Sequence, residues 1–211
     1  MNISTTPKHR IEEVVLHVTD KQGNPIKNKE LRFKQTNHKF LFGCGAFDIQ
    51  LYANKDEIEK KKSEDLTHMP NFDINFVKDR VDKWFDVFNY GTLPFYWGFF
   101  EPKEGSPLTQ DRMNTAKYMK ERGAVAKGHP LCWHTCCADW LMDYDNDTIF
   151  KKQIERIHRD VTDFKGTIDM WDVINEVVIM PIFDKYDNAI TRICKDLGRV
   201  RLVKEVFAAA K

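Results

Sequence analysis

Short apolar runs alternate with amphipathic helical stretches along most of this chain, and that alternation restricts it to a parallel sheet with helices packed on its faces. TLPFYWGFF (92–100) reads as a strand, and the polar turn EPKEGSP leads into a helix from about Gln110 to Arg122. AVAKGHPLCWH (124–134) is the next strand, followed by a helix that opens at Asp147 or Thr148, runs to Phe164 and is stopped by Gly166. TIDMWDVINE (167–176) then has the length and composition of another strand. Upstream, FLFGCGAF (40–47) is a shorter apolar run, and Asn54 to Asp65 is so charged that it predicts a solvated helix or loop. Ile74, Val77, Val81, Trp84, Phe85 and Phe88 recur at three- and four-residue steps, the spacing of one buried helical face. At the N-terminal end VVLHVTD and ELRFKQT flank the turn-forming KQGNPIKN, which predicts a β-hairpin over residues 11–36.

This order of elements fits either a barrel or a doubly wound sheet. A complete (β/α)8 barrel takes about 250 residues and eight strands. Only four strands can be counted here, and ITRICKDLGRVRLVKEVFAAAK reads as one last helix running to Lys211. The expectation is an α/β fold, the first four βα units of a TIM (β/α)8 barrel over residues 39–211, preceded by a hairpin extension over 1–38. Half a barrel would leave two parallel edges unpaired, so the natural protein is expected to continue.

Charge narrows the partners. The 33 Lys and Arg nearly cancel the 32 Asp and Glu, so no basic field exists to hold a phosphate backbone, and nucleic acid is not expected as a partner. No run of about 18 apolar residues predicts a membrane span, and MNISTTPKHRIEE lacks the apolar core of a secretory signal. The five cysteines are an odd number, three of them crowded at Cys132, Cys136 and Cys137, which reads as reduced thiols.

The chemistry concentrates at two strand ends. WDVINE (171–176) closes with an amide and a carboxylate, Asn175 and Glu176, at the strand end where parallel α/β folds carry their sites. Strand alternation puts Asp172, Ile174 and Glu176 on one face and Trp171, Val173 and Asn175 on the other. Flanked by Ile174, Val177 and Val178, Glu176 is expected to be partly withdrawn from water and suited to donating a proton. A helix-capping or salt-bridged Glu accounts for the same position equally well.

GHPLCWHTCCADW (128–140) supports two readings. Zinc would draw on His129, Cys132, His134, Cys136 and Cys137, but an extended strand splays those side chains to opposite faces, and no metal is expected. A sugar site would use the flat faces of Trp133 and Trp140 with His129 hydrogen bonding to hydroxyls, and His134 is a further substrate-binding candidate. Core aromatics around a satisfied His explain the segment without any ligand. In TLPFYWGFF the parity of a strand sets Phe95, Trp97 and Phe99 against Tyr96 and Phe100, and Glu101 before Pro102 reads as a turn residue. The GCG of FLFGCGAF lacks the third glycine and helix start of a nucleotide site, so no cofactor is expected and the glycines ease a tight strand end.

Taken together, GHPLCWH and WDVINE resemble family 10 of the glycoside hydrolases, the endo-β-1,4-xylanases, which show GHxLxWHxQ-x-x-x-W at the third strand and WDVxNE at the fourth. The family's EP-x-x-G turn matches EPKEG (101–105), and the resemblance covers about residues 39–211. It implies a retaining mechanism in which one carboxyl protonates the leaving oxygen and a second, about 5 to 5.5 Å away, attacks the anomeric carbon. By motif, Glu176 matches the acid/base, Asn175 the residue holding the sugar 2-hydroxyl, and His129 and Trp133 the walls of the cleaved sugar's subsite. The family's nucleophile, a Glu ending the seventh strand, would lie beyond Lys211. The full-length protein is expected to be a monomer acting on a polysaccharide.

Two departures bear on substrate. The family's E-N-x-x-K pattern at the second strand is replaced by T-L-P-F-Y, Thr92 to Tyr96, and the Gln two residues after the Trp-His pair is Cys136. A side-branched or non-xylan glycan, or a carbohydrate-binding barrel without catalysis, would account for them. A doubly wound domain is the remaining reading, and the absence of a phosphate loop argues against it.

Overall fold

The computed structural model describes residues 7–211 apart from 9–10, 35, 37 and 64–72. The chain divides into two units, residues 1–39 and 40–211. In the first, the turn of the predicted hairpin forms: Thr19 pairs antiparallel with Pro25, and Oδ1 of Asp20 accepts the backbone N–H groups of Gln22 and Asn24, both at 2.9 Å. The flanking arms carry no strand ladder among the described residues, so the turn is present without the hairpin. Alternation supplied two faces, but among the described residues no further cross-strand pairing follows that one bridge. Gln35 of the second arm lies outside the described residues.

The second unit contains β1 (Gly43–Gly45), α1 (Phe47–Ala53), α2 (Lys55–Ser63), α3 (Ile74–Val87), β2 (Tyr90–Pro94), α4 (Trp97–Phe100), α5 (Thr109–Glu121), β3 (Val125–His129), α6 (Asn146–Asp163), β4 (Met170–Trp171), α7 (Ala189–Leu197) and α8 (Arg199–Ala209), with single 3₁₀ turns at Asp139–Asp143 and Met180–Ile182. All neighbouring strands are parallel and their order is β1-β2-β3-β4. The order advances without reversing, as in a barrel, whereas a doubly wound sheet reverses at its switch point. The parallel strands with their helices form part of a (β/α)8 barrel.

Local chemistry explains the helix starts. Asp73, Asp145 and Asn188 are N-caps whose side chains accept backbone N–H groups of the first turns of α3, α6 and α7. Val77 and Val81 of α3 pack with Leu93, Phe95, Met119 and Phe164 beneath the sheet. Ile149 and Ile157 of α6 pack with Ile190, Ile193, Leu202 and Val206 of α7 and α8. The predicted single C-terminal helix is two, divided at Gly198, whose φ of 80° leaves the helical region.

Three strands differ from expectation. GCG is itself β1 rather than a strand end. The run TLPFYWGFF is β-strand only to Pro94, and WGFF is helical, so the predicted parity of its aromatics does not apply. The reason is tertiary: Nε of buried Arg112 donates to the Pro94 carbonyl at 2.6 Å, ending the strand where the chain turns. Regular pairing of β4 covers only Met170–Trp171, continued by a bridge between Cys132 and Ile174. Gly128 lies opposite Trp171, and a Cβ there would stand 2.2 Å from the indole, so glycine is what lets β3 and β4 approach.

Candidate active site

At the exits of β2 and β3 a buried side chain joins the backbone bonds from Phe95 N to His129 O at 2.6 Å and from Leu131 N to Asp172 O at 3.0 Å. The guanidinium of Arg156, from α6, donates to the carbonyls of Phe95, of Leu131 at 2.9 Å and of Pro130 at 3.4 Å, and lies 4.7 Å over the Trp97 ring. Burial lowers its affinity for its proton, and Asp160, 3.2 Å away, opposes that. Gln153 of the same helix adds a 3.0 Å bond to Leu131 O. These contacts leave the segments after β2, β3 and β4 at the C-terminal end of the strands, where such barrels place their chemistry.

There the structure brings five side chains together. Nε1 of Trp133 donates to Oε2 of Glu176 at 2.7 Å, and Nε2 of His134 lies 3.8 Å from the same oxygen. The Trp133 ring meets those of Tyr96 at 5.4 Å and His129 at 6.2 Å. Glu176 has a φ of 49°, a turn that ends the strand alternation and swings its carboxylate to the rim. The withdrawal from water expected from its apolar neighbours is not found: the Glu176 side chain is 45% exposed and Val178 is 70% exposed.

Inside the rim, Oδ2 of Asp172 accepts from Nζ of Lys127 at 2.6 Å and pairs with Nδ1 of His129 at 2.7 Å. Partial burial would raise the Asp172 carboxyl, but the Lys127 and His129 hydrogen bonds outweigh it and hold that carboxyl below the usual range. Lys127 responds in the opposite sense: burial lowers it, and the bond to Asp172 raises it overall. His134 is fully buried with its ring 4.4 Å from that of Phe183, and neither ring nitrogen has a hydrogen-bond partner among the described residues. Its burial disfavours the imidazolium, against the pull of Glu176.

The remaining predicted residues fall elsewhere. The Asn175 backbone N–H bonds Cys132 O at 3.0 Å, tying the end of WDVINE to the β3 segment. Trp140 packs edge-on against Trp97 at 5.8 Å and donates its N–H to Glu101 O, so its indole belongs to a separate group. Glu101 is buried, bound by Trp97, Gly105 and Arg159, which is a structural role at the turn. Among the described residues no cluster of His, Cys, Asp or Glu could hold a metal ion, and no helix is long and apolar enough to cross a membrane. Sequence reasoning missed Lys127, although its two-residue offset from His129 places both on the face that meets Asp172.

A carboxylate at the C-terminal rim of parallel strands, hydrogen-bonded by an indole and flanked by imidazoles, stands where (β/α)8 barrels carry their active sites. The model of glycosyl hydrolase family 10 matches residues 95–211, more than half of the chain, and the chain belongs to that family. It is similar to an endo-1,4-beta-xylanase/feruloyl esterase of Xylanibacter ruminicola, 33% identical over 99 residues, which are 43% of this chain and 14% of the relative. Endo-1,4-beta-xylanase A of Thermotoga maritima is 37% identical over 68 residues, 29% of this chain and 6% of that protein. In fold it is similar to native xylanase 10B from Thermotoga maritima, with a TM-score of 0.53 at 20% identity over 64% of this chain and 41% of that one. The chain thus spans well under half the length of each of these proteins.

Proposed function

We propose that this chain contributes the acid/base half of a retaining endo-β-1,4-glycanase site acting on xylan or a related plant polysaccharide. The observation that carries the reading is the 2.7 Å hydrogen bond from Trp133 to Glu176 at the strand-end rim of a family 10 barrel. Glu176 protonates the departing glycosidic oxygen and later takes a proton from water. Its exposed position suits both steps, because the carboxyl must reach substrate and then solvent. Asn175 holds the sugar 2-hydroxyl, and His129 and Trp133 line the cleaved sugar's position, with the buried ring of His134 packed against Trp133 at 6.1 Å. Asp172 is already bound by Lys127 and His129, so it is not the second carboxylate, the nucleophile, that such a mechanism needs. Residues 1–38 are a separate N-terminal extension, and the protein acts as a monomer without cofactor or metal.

The test is Glu176→Gln in the full-length protein, assayed on unactivated glycan. The proposal expects hydrolysis to fall by at least about 10³-fold, with glycan binding retained. Hydrolysis at the parent rate sinks the assignment. The replaced second-strand motif favours one other reading, a barrel that binds glycan without cleaving it, for which the unsubstituted protein would itself retain glycan and release no sugar.

A further inference from the structure

Trp133 stands on the segment that leaves β3, and β3 lies between β2 and β4 in the sheet. Its indole therefore has the exit of β2 on one flank and the exit of β4 on the other. Glu176 occupies the β4 flank and accepts the indole N–H. Tyr96 occupies the β2 flank, its ring 5.4 Å from that of Trp133 and tilted by 49°. Two imidazoles also meet the indole, His129 at 6.2 Å and His134 at 6.1 Å, but both stand on β3 or its exit, as Trp133 does. Among the described residues Tyr96 is thus the ring that braces the indole from a neighbouring strand.

Tyr96 is itself closely held. Phe95 and Trp97 on either side of it are buried. The Phe95 N–H donates to His129 O at 2.6 Å, and the Phe95 carbonyl accepts from Arg156. The Tyr96 carbonyl accepts from the N–H groups of Phe99 at 2.9 Å and Phe100 at 2.8 Å, where α4 begins. Its ring also lies edge-on to those of His129 at 5.9 Å and Phe99 at 6.4 Å. A side chain on a backbone so fixed can set the orientation of another. Burial raises the Tyr96 phenol, and the Cys136 thiol beside it acts in the same sense, so the ring stays uncharged near neutral pH. Tyr96 is the last residue of the T-L-P-F-Y that replaces E-N-x-x-K, so a flat ring stands where that pattern carries an ammonium group. A ring packs against an indole face to face or edge to face, whereas an ammonium group on a flexible stem acts as a point charge.

We propose that Tyr96 is a positioning residue whose ring keeps the Trp133 indole turned to the β4 flank, where its N–H meets Glu176. The positioning is independent of what Glu176 does, and its consequence for hydrolysis rests on the acid/base reading of Glu176.

The experiment is proton–nitrogen NMR of the isotope-labelled protein. The Trp133 indole N–H is identified by its loss in Trp133→Phe, and its unbonded position is read from Glu176→Ala. Tyr96→Leu is expected to move that resonance toward the unbonded position and to speed its exchange with water by about two- to tenfold, the range in which one aromatic contact shifts such an equilibrium. Tyr96→Phe keeps the ring and should leave the resonance where the parent has it. On linear glycan, kcat should fall by about two- to tenfold in Tyr96→Leu with KM within about twofold, and Tyr96→Phe should restore it. Should Tyr96→Leu displace the other indole resonances as well, the same comparison is read in Tyr96→Met, whose flexible chain fills the space without a ring. An indole resonance that stays in place without the ring overturns the proposal. Equal movement in Tyr96→Phe overturns it too, assigning the effect to the hydroxyl, as does a raised KM with kcat intact, which would make Tyr96 a substrate contact. A parent protein that hydrolyses no linear glycan overturns the acid/base reading instead, and the NMR comparison still decides the positioning.

Discussion

Trp133 and Glu176, 43 residues apart, are joined by a hydrogen bond of 2.7 Å from the indole N–H to Oε2. That bond orients a side chain that is otherwise 45% exposed and free to turn. Replacing the indole by Trp133→Phe keeps an aromatic face and removes the donor. A hydrogen bond to a charged group contributes about 1.5 kcal/mol at the low end suited to so open a site, so kcat/KM on glycan should fall about tenfold. Initial rates on one linear substrate decide it; an unchanged value would mean the bond does not position the acid.

How much of this was legible in the sequence differs from residue to residue. Trp133, His134, Asn175 and Glu176 stand in contiguous motifs at strand ends, so their role as candidates could be read locally. The Asp172 pairing could not, because Lys127 and Asp172 are 45 residues apart and meet only through the register of β3 and β4. The aromatic run after Pro94 has strong strand propensity, yet it turns helical once Arg112, from α5, takes the Pro94 carbonyl. Gly198 looked tolerable inside a helix until its positive φ divided α7 from α8. Propensity was overridden wherever a distant side chain claimed a backbone group.

The Asp172–Lys127 pair makes stability depend on pH at both ends. The Asp172 carboxyl is held below its ordinary 3.8, so its contribution is complete above that value and is lost as pH falls through the lower folded one. Lys127 is held above its ordinary 10.5, so its contribution is complete below that value and is lost as pH rises through the higher folded one. Asp172→Asn should therefore cost about 1 kcal/mol across neutral pH, a figure reduced for the pair's partial exposure. The deficit should stay level from about pH 5 to pH 9 and shrink below about pH 3.5. Urea unfolding of both proteins at several pH values measures it, and a deficit that grows in acid contradicts the assignment.

The cysteines should differ in reactivity by burial. All five are free thiols. Burial pushes the Cys137 thiol up to about 11 and that of Cys132 higher still, so neither offers thiolate near neutral pH. Cys44 is exposed and should be alkylated first. Iodoacetamide labelling of the native protein at pH 7.5, followed by peptide mass spectrometry, should find Cys44 modified while Cys132 and Cys137 stay unmodified until the protein is unfolded. Early labelling of Cys132 would mean that the segment after β3 opens.

Arg156 should be the side chain whose loss the barrel tolerates least. Its guanidinium is fully enclosed, serves the carbonyls of Phe95, Pro130 and Leu131, and faces a buried Asp160. Methionine would fill much of the volume but leave the carbonyls without that donor and remove one of the two counter-charges that meet Asp160. Losing one partner of a buried ion pair costs about 3–5 kcal/mol, and here Arg159 still reaches Asp160 at 2.9 Å, which places Arg156→Met at the lower end. At about 2–4 °C per kcal/mol for a domain of this size, Tm should drop by about 10 °C. The carbonyls concerned bracket the exits of β2 and β3, so Tyr96 and Trp133 lose their support as well. Glycan hydrolysis by the folded variant at low temperature should then fall along with Tm. A large Tm loss with undiminished activity would separate the arginine's role in stability from any role in holding the site.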